Sequence, residues 1–170
     1  MQFVFGYGSL AAAPGGLSCA LRGWRRLWGV AMDNRLDVPG YKHYLLRSDA
    51  SRPHVFVAFL DIVECPGAVT NGICVAADGP LLDALDERER NYERVDVTAA
   101  CEPAVAGAVV WAYRGSAAGR ARLDEGRRRG RAVVSREYLQ LVRDLAGEQT
   151  GDLPVWDLQR VDLPRRSPSR

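Results

Sequence analysis

The chain has 170 residues, of which 47% are hydrophobic, and a formal net charge of +2. This length predicts a single domain with its own core, and the near-neutral charge does not favour a nucleic-acid partner. The sequence contains neither an apolar run long enough to span a membrane nor a recognisable signal peptide. We therefore expect a cytoplasmic protein with no membrane partner.

Short apolar segments typical of β-strands fill the first half of the chain. They cover residues 3–7, 24–31, 54–62 and 71–76. A Pro66-Gly67 break separates the last two segments, which predicts two adjacent antiparallel strands.

The second half combines two amphipathic helices with further strands. Residues 81–89 place leucines on one face at helical spacing, and residues 136–146 repeat that pattern after a capping Ser135. Residues 94–100 and 104–113 have the pattern of strands. The fold class we predict is α+β: a small mixed β-barrel-like sheet with flanking helices.

Residues 115–131 are rich in small residues and in arginine. Two interpretations stay open, a phosphate-binding loop and a solvated, mobile connection. We expect residues 1–163 to form the domain and residues 164–170 to form a flexible C-terminal tail.

The cysteines and histidines do not follow a metal-binding pattern. Cys19, Cys65, Cys74 and Cys101 lack Cys-x-x-Cys spacing, and the two histidines stand in no known metal motif. We predict reduced thiols in or near the core, and no metal site.

The N-terminal strand runs directly into the turn Gly6-Tyr7-Gly8-Ser9-Leu10. The two glycines permit unusual φ values and let a ligand approach the backbone closely. The N–H groups of such a turn can converge on an anionic or carbonyl oxygen. Ala11 stands where a dinucleotide-binding Gly-x-Gly-x-x-Gly motif needs its third glycine, so that fold is disfavoured.

A second motif follows the first predicted helix, at Leu85-Asp86-Glu87-Arg88-Glu89. This segment and the N-terminal turn together resemble the γ-glutamylcyclotransferase-like family, which includes the ChaC-type proteins. Gly23-Trp24-Arg25-Arg26 resembles that family's Gly-Trp-x-Arg strand, and residues 135–139 give weaker support. The resemblance covers roughly residues 2–114.

The resemblance implies a cofactor-independent cyclisation of a small γ-glutamyl substrate. The substrate's own α-amine attacks the γ-carbonyl, which releases 5-oxoproline and an amine. Glu89 matches the family's catalytic glutamate, which moves the proton from the attacking amine to the leaving nitrogen. The backbone N–H groups of Gly8, Ser9 and Leu10 are the implied oxyanion donors, and Tyr7 shapes the pocket.

Other readings of these residues remain open. The charges around Glu89 can form ordinary ion pairs on a helix surface, and Glu87 is a rival base. Tyr92 can contact the glutamyl group or pack in a strand, and Tyr113 can line the pocket or belong to the core.

The sequence departs from the family after Glu89, where Arg90-Asn91-Tyr92 replaces the glycine-containing segment of many relatives. Free γ-glutamyl amino acids, γ-glutamylamines, glutathione and γ-glutamylated natural products stay open as substrates. A different class of function is a non-catalytic module that binds a small carboxylated metabolite. Nucleic-acid binding through the arginine cluster is the weakest hypothesis, and the sequence does not indicate an oligomeric state.

Overall fold

The computed structural model describes residues 1–12 and 14–166. Its strands are β1 Gln2–Gly6, β2 Leu17–Asp33, β3 Lys42–Leu46, β4 Phe56–Ala77, β5 Tyr92–Asp96, β6 Cys101–Glu102, β7 Val109–Gly115, β8 Ala132–Ser135, β9 Val155–Trp156 and β10 Leu158–Asp162. Its α-helices are α1 Gly79–Arg88, α2 Ala117–Arg128 and α3 Arg136–Ala146, with 3₁₀ turns at Ser9–Ala12 and Thr98–Ala100.

A curled, mixed sheet forms the body of the molecule. Six strands follow one another in the order β5-β7-β1-β4-β2-β6, and β1 runs parallel to β7 but antiparallel to β4. The sheet curves into a half-barrel around a core that includes the fully buried Phe5, Leu60 and Ile62. The predicted α+β fold with a barrel-like mixed sheet and flanking helices is therefore confirmed. None of the helices among the described residues is both long and apolar enough to cross a membrane.

Strand β4 corrects the prediction of two antiparallel strands separated by Pro66-Gly67. The strand continues from Phe56 to Ala77, and both of its halves pair with β2. Opposite Gly23 the register shifts, because β4 passes from Glu64 to Val69 while β2 passes only from Trp24 to Arg22. The Pro-Gly pair thus marks an irregularity within one long strand rather than the turn of a hairpin.

Helix α2 corrects both interpretations of residues 115–131. The Ser116 side chain caps the helix by accepting a hydrogen bond from the Gly119 N–H at 3.0 Å. Leu123 is fully buried, and Gly119 and Gly126 let the helix approach the sheet closely. Two of the small residues that suggested a loop, Gly119 and Gly126, are therefore packing residues of a helix.

Helix α3 begins at the predicted position but without the predicted cap. Ser135 precedes the helix, yet its side chain makes no capping hydrogen bond, and its Oγ atom has no partner among the described residues. Ser135 is the last residue of β8 and is buried.

The predicted C-terminal tail is described only in part. The Pro164 carbonyl accepts a hydrogen bond from the Gly40 N–H at 3.0 Å, and Arg165 lies 3.4 Å from Glu87. The rest of the predicted tail, residues 167–170, lies outside the described residues.

Candidate active site

A pocket opens where several strand ends meet. Because β1 and β7 are parallel neighbours, their C-terminal ends lie at the same edge of the sheet. Strand β5 is antiparallel to β7 and begins at that edge, with Tyr92 opposite Gly115. The pocket has a volume of about 30 Å³ and is lined by Phe5, Tyr7, Gly8, Ser9, Leu10, Leu60, Glu89, Tyr92, Tyr113 and Tyr138. All seven residues that the sequence identified as site candidates are therefore brought together.

The N-terminal turn folds back tightly on itself. A side chain at Gly6 would place its Cβ atom 2.7 Å from the Ala11 nitrogen, and the Ala11 N–H donates to the Gly8 carbonyl at 3.0 Å. Neither Gly6 nor Gly8 has a positive φ, which differs from the unusual φ values that the sequence led us to expect. Gly6 is required by close backbone approach instead.

The start of the 3₁₀ turn lines the pocket and has backbone N–H groups without a protein acceptor in the described part of the chain. Across residues 1–12 and 14–166, the N–H groups of Gly8, Ser9 and Leu10 donate to no protein acceptor. Such groups at the start of a helical turn lack a preceding carbonyl and can donate to a ligand oxygen.

Arg26 connects this turn to helix α3 through two hydrogen bonds. Its Nε atom donates to the Tyr7 carbonyl at 2.9 Å, and its Nη1 atom donates to the Leu145 carbonyl at 2.7 Å. The arginine of the Gly23-Trp24-Arg25-Arg26 motif thus links the turn to the end of α3. This contact gives the motif a structural role beside the pocket.

Glu89 is the C-cap residue of α1, and its N–H donates to the Leu85 carbonyl at 2.8 Å. Its side chain is 16% exposed, whereas that of Glu87 is 65% exposed. The Arg88 guanidinium donates to Oε1 of Glu89 at 2.9 and 3.1 Å. Both hydrogen bonds fall on Oε1, and Oε2 accepts no hydrogen bond from the described residues.

Glu87 lies outside the inner pocket. It lines the wider groove beyond the pocket and is paired with Arg165 at 3.4 Å. Of the two candidate carboxylates, only Glu89 lines the inner pocket with Tyr7 and Gly8, whereas Glu87 shares just the outer groove with Ser9 and Leu10.

Tyrosine hydroxyls tie the pocket walls together. Tyr7 Oη donates to the Tyr113 carbonyl at 2.5 Å, and Tyr92 Oη donates to the Leu60 carbonyl at 2.6 Å. Burial raises the pKa of Tyr7 well above its ordinary value, and the nearby Asp61 carboxylate acts in the same direction. Burial likewise raises the pKa of Tyr92, so both phenols stay protonated.

Tyr113 both belongs to the core and lines the pocket. It is only 4% exposed, and its Oη donates to Oδ1 of Asp86 at 2.6 Å. Asp86 precedes Glu89 in the Leu-Asp-x-x-Glu segment, so this hydrogen bond ties the end of α1 to β7. Tyr92 is similarly both a strand residue and a pocket residue.

Two hydrogen bonds hold the side chain of Asn91 in the short segment between Glu89 and Tyr92. The residue is buried, its amide nitrogen donates to Tyr41 Oη at 3.0 Å, and its Oδ1 accepts from Arg122 Nη2 at 2.7 Å. An arginine of α2 thus fixes the connection between Glu89 and Tyr92.

Asp61 has a buried carboxylate near the pocket residue Tyr7. Oδ1 of Asp61 accepts hydrogen bonds from the N–H groups of Gly115 at 2.6 Å and Ile62 at 2.7 Å. Its Oδ2 accepts from Arg120 Nε at 2.9 Å. Arg120 and Arg122 show that the arginines of α2 facing the sheet make structural hydrogen bonds.

Sequence reasoning missed three lining residues of the inner pocket: Phe5, Leu60 and Tyr138. Tyr138 lies on α3, and its ring packs edge-on against Phe59 with centroids 5.1 Å apart. A Cβ atom at Gly8 would lie 3.1 Å from Tyr138 Oη. The amphipathic pattern of α3 indicated that Tyr138 is partly buried but carried no signal for the cavity that it faces.

The inner pocket opens into a groove of about 820 Å³, and the two share Glu89, Tyr92 and Tyr138 among their lining residues. Six cationic and three acidic side chains line the groove: Lys42, Arg88, Arg90, Arg160, Arg165 and Arg166, with Glu87, Glu89 and Asp162. The groove therefore favours an anionic occupant.

Lys42, the chain's only lysine, lies at the wall of this groove. Its Nζ atom stands 4.3 Å from the centroid of the Phe59 ring. Burial lowers the pKa of Lys42 to about 8, with Arg160 acting in the same direction. No sequence pattern marked this residue as part of the site.

No protein-family model matches the chain, and a search of curated proteins finds no relative.

Proposed function

We propose that the chain is a γ-glutamylcyclotransferase-like enzyme that releases 5-oxoproline and an amine or amino acid from a γ-glutamyl compound. One observation carries the proposal: Glu89 and the turn from Tyr7 to Leu10, distant in sequence, line the same pocket. The order of these motifs resembles that of the γ-glutamylcyclotransferase-like family. The lining of the pocket combines the Glu89 carboxylate with a turn whose N–H groups have no protein acceptor among the described residues.

The substrate enters from the groove with its γ-carbonyl directed at the N-terminal turn. Because the inner pocket and the groove share Glu89, Tyr92 and Tyr138, the reacting end occupies the inner pocket and the rest of the molecule occupies the groove. Holding the glutamyl chain folded brings its α-amine close to its own γ-carbonyl. This proximity lowers the barrier without a covalent enzyme intermediate.

Glu89 transfers one proton during the reaction. Its carboxylate takes a proton from the α-ammonium, and the resulting amine forms a C–N bond with the γ-carbon. The attacking nitrogen then loses a second proton to the solvent, so that the ring nitrogen keeps one N–H. The original C–N bond breaks, and Glu89 returns its proton to the leaving nitrogen. The reaction involves no net oxidation or reduction.

The N–H groups of Gly8, Ser9 and Leu10 stabilise the oxyanion that forms on the attacked carbonyl. Loss of one such donor typically costs about 3 kcal/mol of transition-state stabilisation. Arg26 and the Tyr7–Tyr113 hydrogen bond hold the turn in place, so the donors are oriented before the substrate binds.

The test is incubation of the purified protein with a panel of γ-glutamyl amino acids, γ-glutamylamines and glutathione, monitored for 5-oxoproline. We expect lactam formation from at least one member. Saturable binding of panel members without any lactam would contradict the proposal and support the alternative, a non-catalytic module that binds small metabolites. The excess of cations in the groove fits either function, so turnover decides between them.

A further inference from the structure

Three of the four cysteines meet on one face of the sheet. Cys19 lies in β2, Cys74 in β4 and Cys101 in β6. Strand β2 pairs with both neighbours, with Leu17 opposite Cys74 and Leu21 opposite Cys101. Alternate residues of a strand point to the same face, so positions 17, 19 and 21 share one. The three thiols therefore form a diagonal row across three adjacent strands.

The spacing of the sulfur atoms suits a metal ion. The Sγ atoms of Cys19 and Cys74 are 2.8 Å apart, and those of Cys74 and Cys101 are 3.7 Å apart. All three lie within 4.8 Å of one another. A zinc–sulfur bond of about 2.3 Å places the sulfurs of a tetrahedral site roughly 3.8 Å apart. A small shift of the Cys19 side chain would bring the cluster to that geometry.

The cysteine cluster is buried at Cys74 and Cys101 and partly exposed at Cys19. Cys74 and Cys101 are 2% and 3% exposed and belong to the hydrophobic cluster that contains Phe5 and Val97. Cys19 is only partly buried, so a cation can enter past it.

We propose that Cys19, Cys74 and Cys101 form a three-thiolate site for one thiophilic d¹⁰ cation, with Zn²⁺ as its reference ligand. Binding replaces three S–H bonds with three metal–sulfur bonds and releases three protons, with no change of oxidation state. The fourth coordination position lies on the open side, beside Cys19, and is filled by water or an external ligand. This site is separate from the pocket around Glu89 and does not depend on the function proposed there.

The experiment titrates Cd²⁺ into the full chain, kept reduced with a phosphine, and follows the ultraviolet thiolate-to-cadmium charge-transfer band. Competition between the protein and a chromophoric chelator then gives the Zn²⁺ affinity. We expect one ion per chain and a band intensity that corresponds to three thiolates. Cys74→Ser should weaken Zn²⁺ binding by more than ~100-fold, beyond the effect typical of an outer-shell partner. Cys65→Ser is the matched control, since Cys65 lies outside the cluster, and should bind as the wild type does.

Cys19→Ser is a second test variant in case Cys74→Ser does not fold, because the partly exposed position 19 tolerates a hydroxyl. Circular dichroism establishes that each variant folds. Equal affinity for Zn²⁺ in the wild type, Cys19→Ser and Cys74→Ser would overturn the proposal. A reduced wild type that binds no ion would also overturn the proposal. The same holds if that protein forms only a Cys19–Cys74 disulfide when peroxide is added.

Discussion

The charge of Lys42 is held in an environment that disfavours it. Folding lowers the pKa of Lys42 from 10.5 to about 8 through burial first and Arg160 second. The unfolded chain therefore binds this proton more tightly than the folded chain does. The resulting destabilisation is complete below about pH 8 and fades as the pH rises toward 10.5.

Lys42→Met should consequently stabilise the protein at neutral pH. Methionine keeps much of the apolar stem against Phe59 but carries no charge. Thermal unfolding at pH 7 should show a higher midpoint for the variant, and the difference should shrink as the pH is raised from 8 to 10. An equal shift at every pH would show that packing, rather than charge, dominates this position.

Loss of the Asp61 carboxylate should lower the free energy of unfolding. Its buried carboxylate accepts from two backbone N–H groups and from Arg120, and an asparagine side chain cannot accept all three hydrogen bonds. We expect Asp61→Asn to lower the free energy of unfolding by about 2–3 kcal/mol in urea denaturation. The exposed Asp83 provides the control, and Asp83→Asn should change stability by less than about 0.5 kcal/mol. Equal effects at the two positions would argue against a structural role for Asp61.

At the scale of elements, α2 shows how close packing overrides intrinsic propensity. Its glycines mark positions where the helix touches the sheet. A Cβ atom at Gly126 would lie 2.7 Å from Phe56 Cβ, an atom held near its own backbone and unable to move freely. Helix propensity alone predicts that alanine at this position stabilises the helix by about 1 kcal/mol.

Packing predicts the opposite sign for Gly126→Ala, a loss of about 1–3 kcal/mol from overpacking. Urea denaturation measures the difference directly. Arg128→Ala, at an exposed position of the same helix, is the control and should stay within about 0.5 kcal/mol of the wild type. A stabilised Gly126→Ala would mean that the helix can move away from the sheet at little cost.

Elements with strong hydrophobic patterns were predictable, and those defined by tertiary contacts were not. The leucine pattern predicted α1 because Leu82 and Leu85 are buried, although Leu81, assigned to the same face, is exposed. The helix α2 was missed because Gly119 and Gly126 look like loop residues unless the opposing sheet is known. The single strand β4 was missed because the Pro66-Gly67 pair is accommodated by a shift in register against β2.

For the whole molecule, the short motifs predicted seven residues that line the inner pocket but not the other three. Tyr7 and Glu89 were found from local sequence, and the curled sheet brings them to one pocket. Tyr138 and Lys42 reach the same region from α3 and β3, elements whose position depends on the complete topology. The weak resemblance at residues 135–139 includes Tyr138 but does not indicate that this side chain reaches the pocket, and no local pattern marks Lys42.

The assignment of Glu89 is tested most directly by comparing Glu89→Gln with Glu87→Gln in the 5-oxoproline assay. Glutamine keeps the size of the side chain but cannot accept the proton of the α-ammonium. Glu89→Gln should lower kcat by ~10²-fold or more while the thermal midpoint and ligand binding stay close to those of the wild type. Glu87→Gln, whose side chain faces Arg165 in the outer groove, should retain nearly full turnover. Equal, small losses from both substitutions would contradict a catalytic role for Glu89, and a large loss from Glu87→Gln alone would assign the base to Glu87.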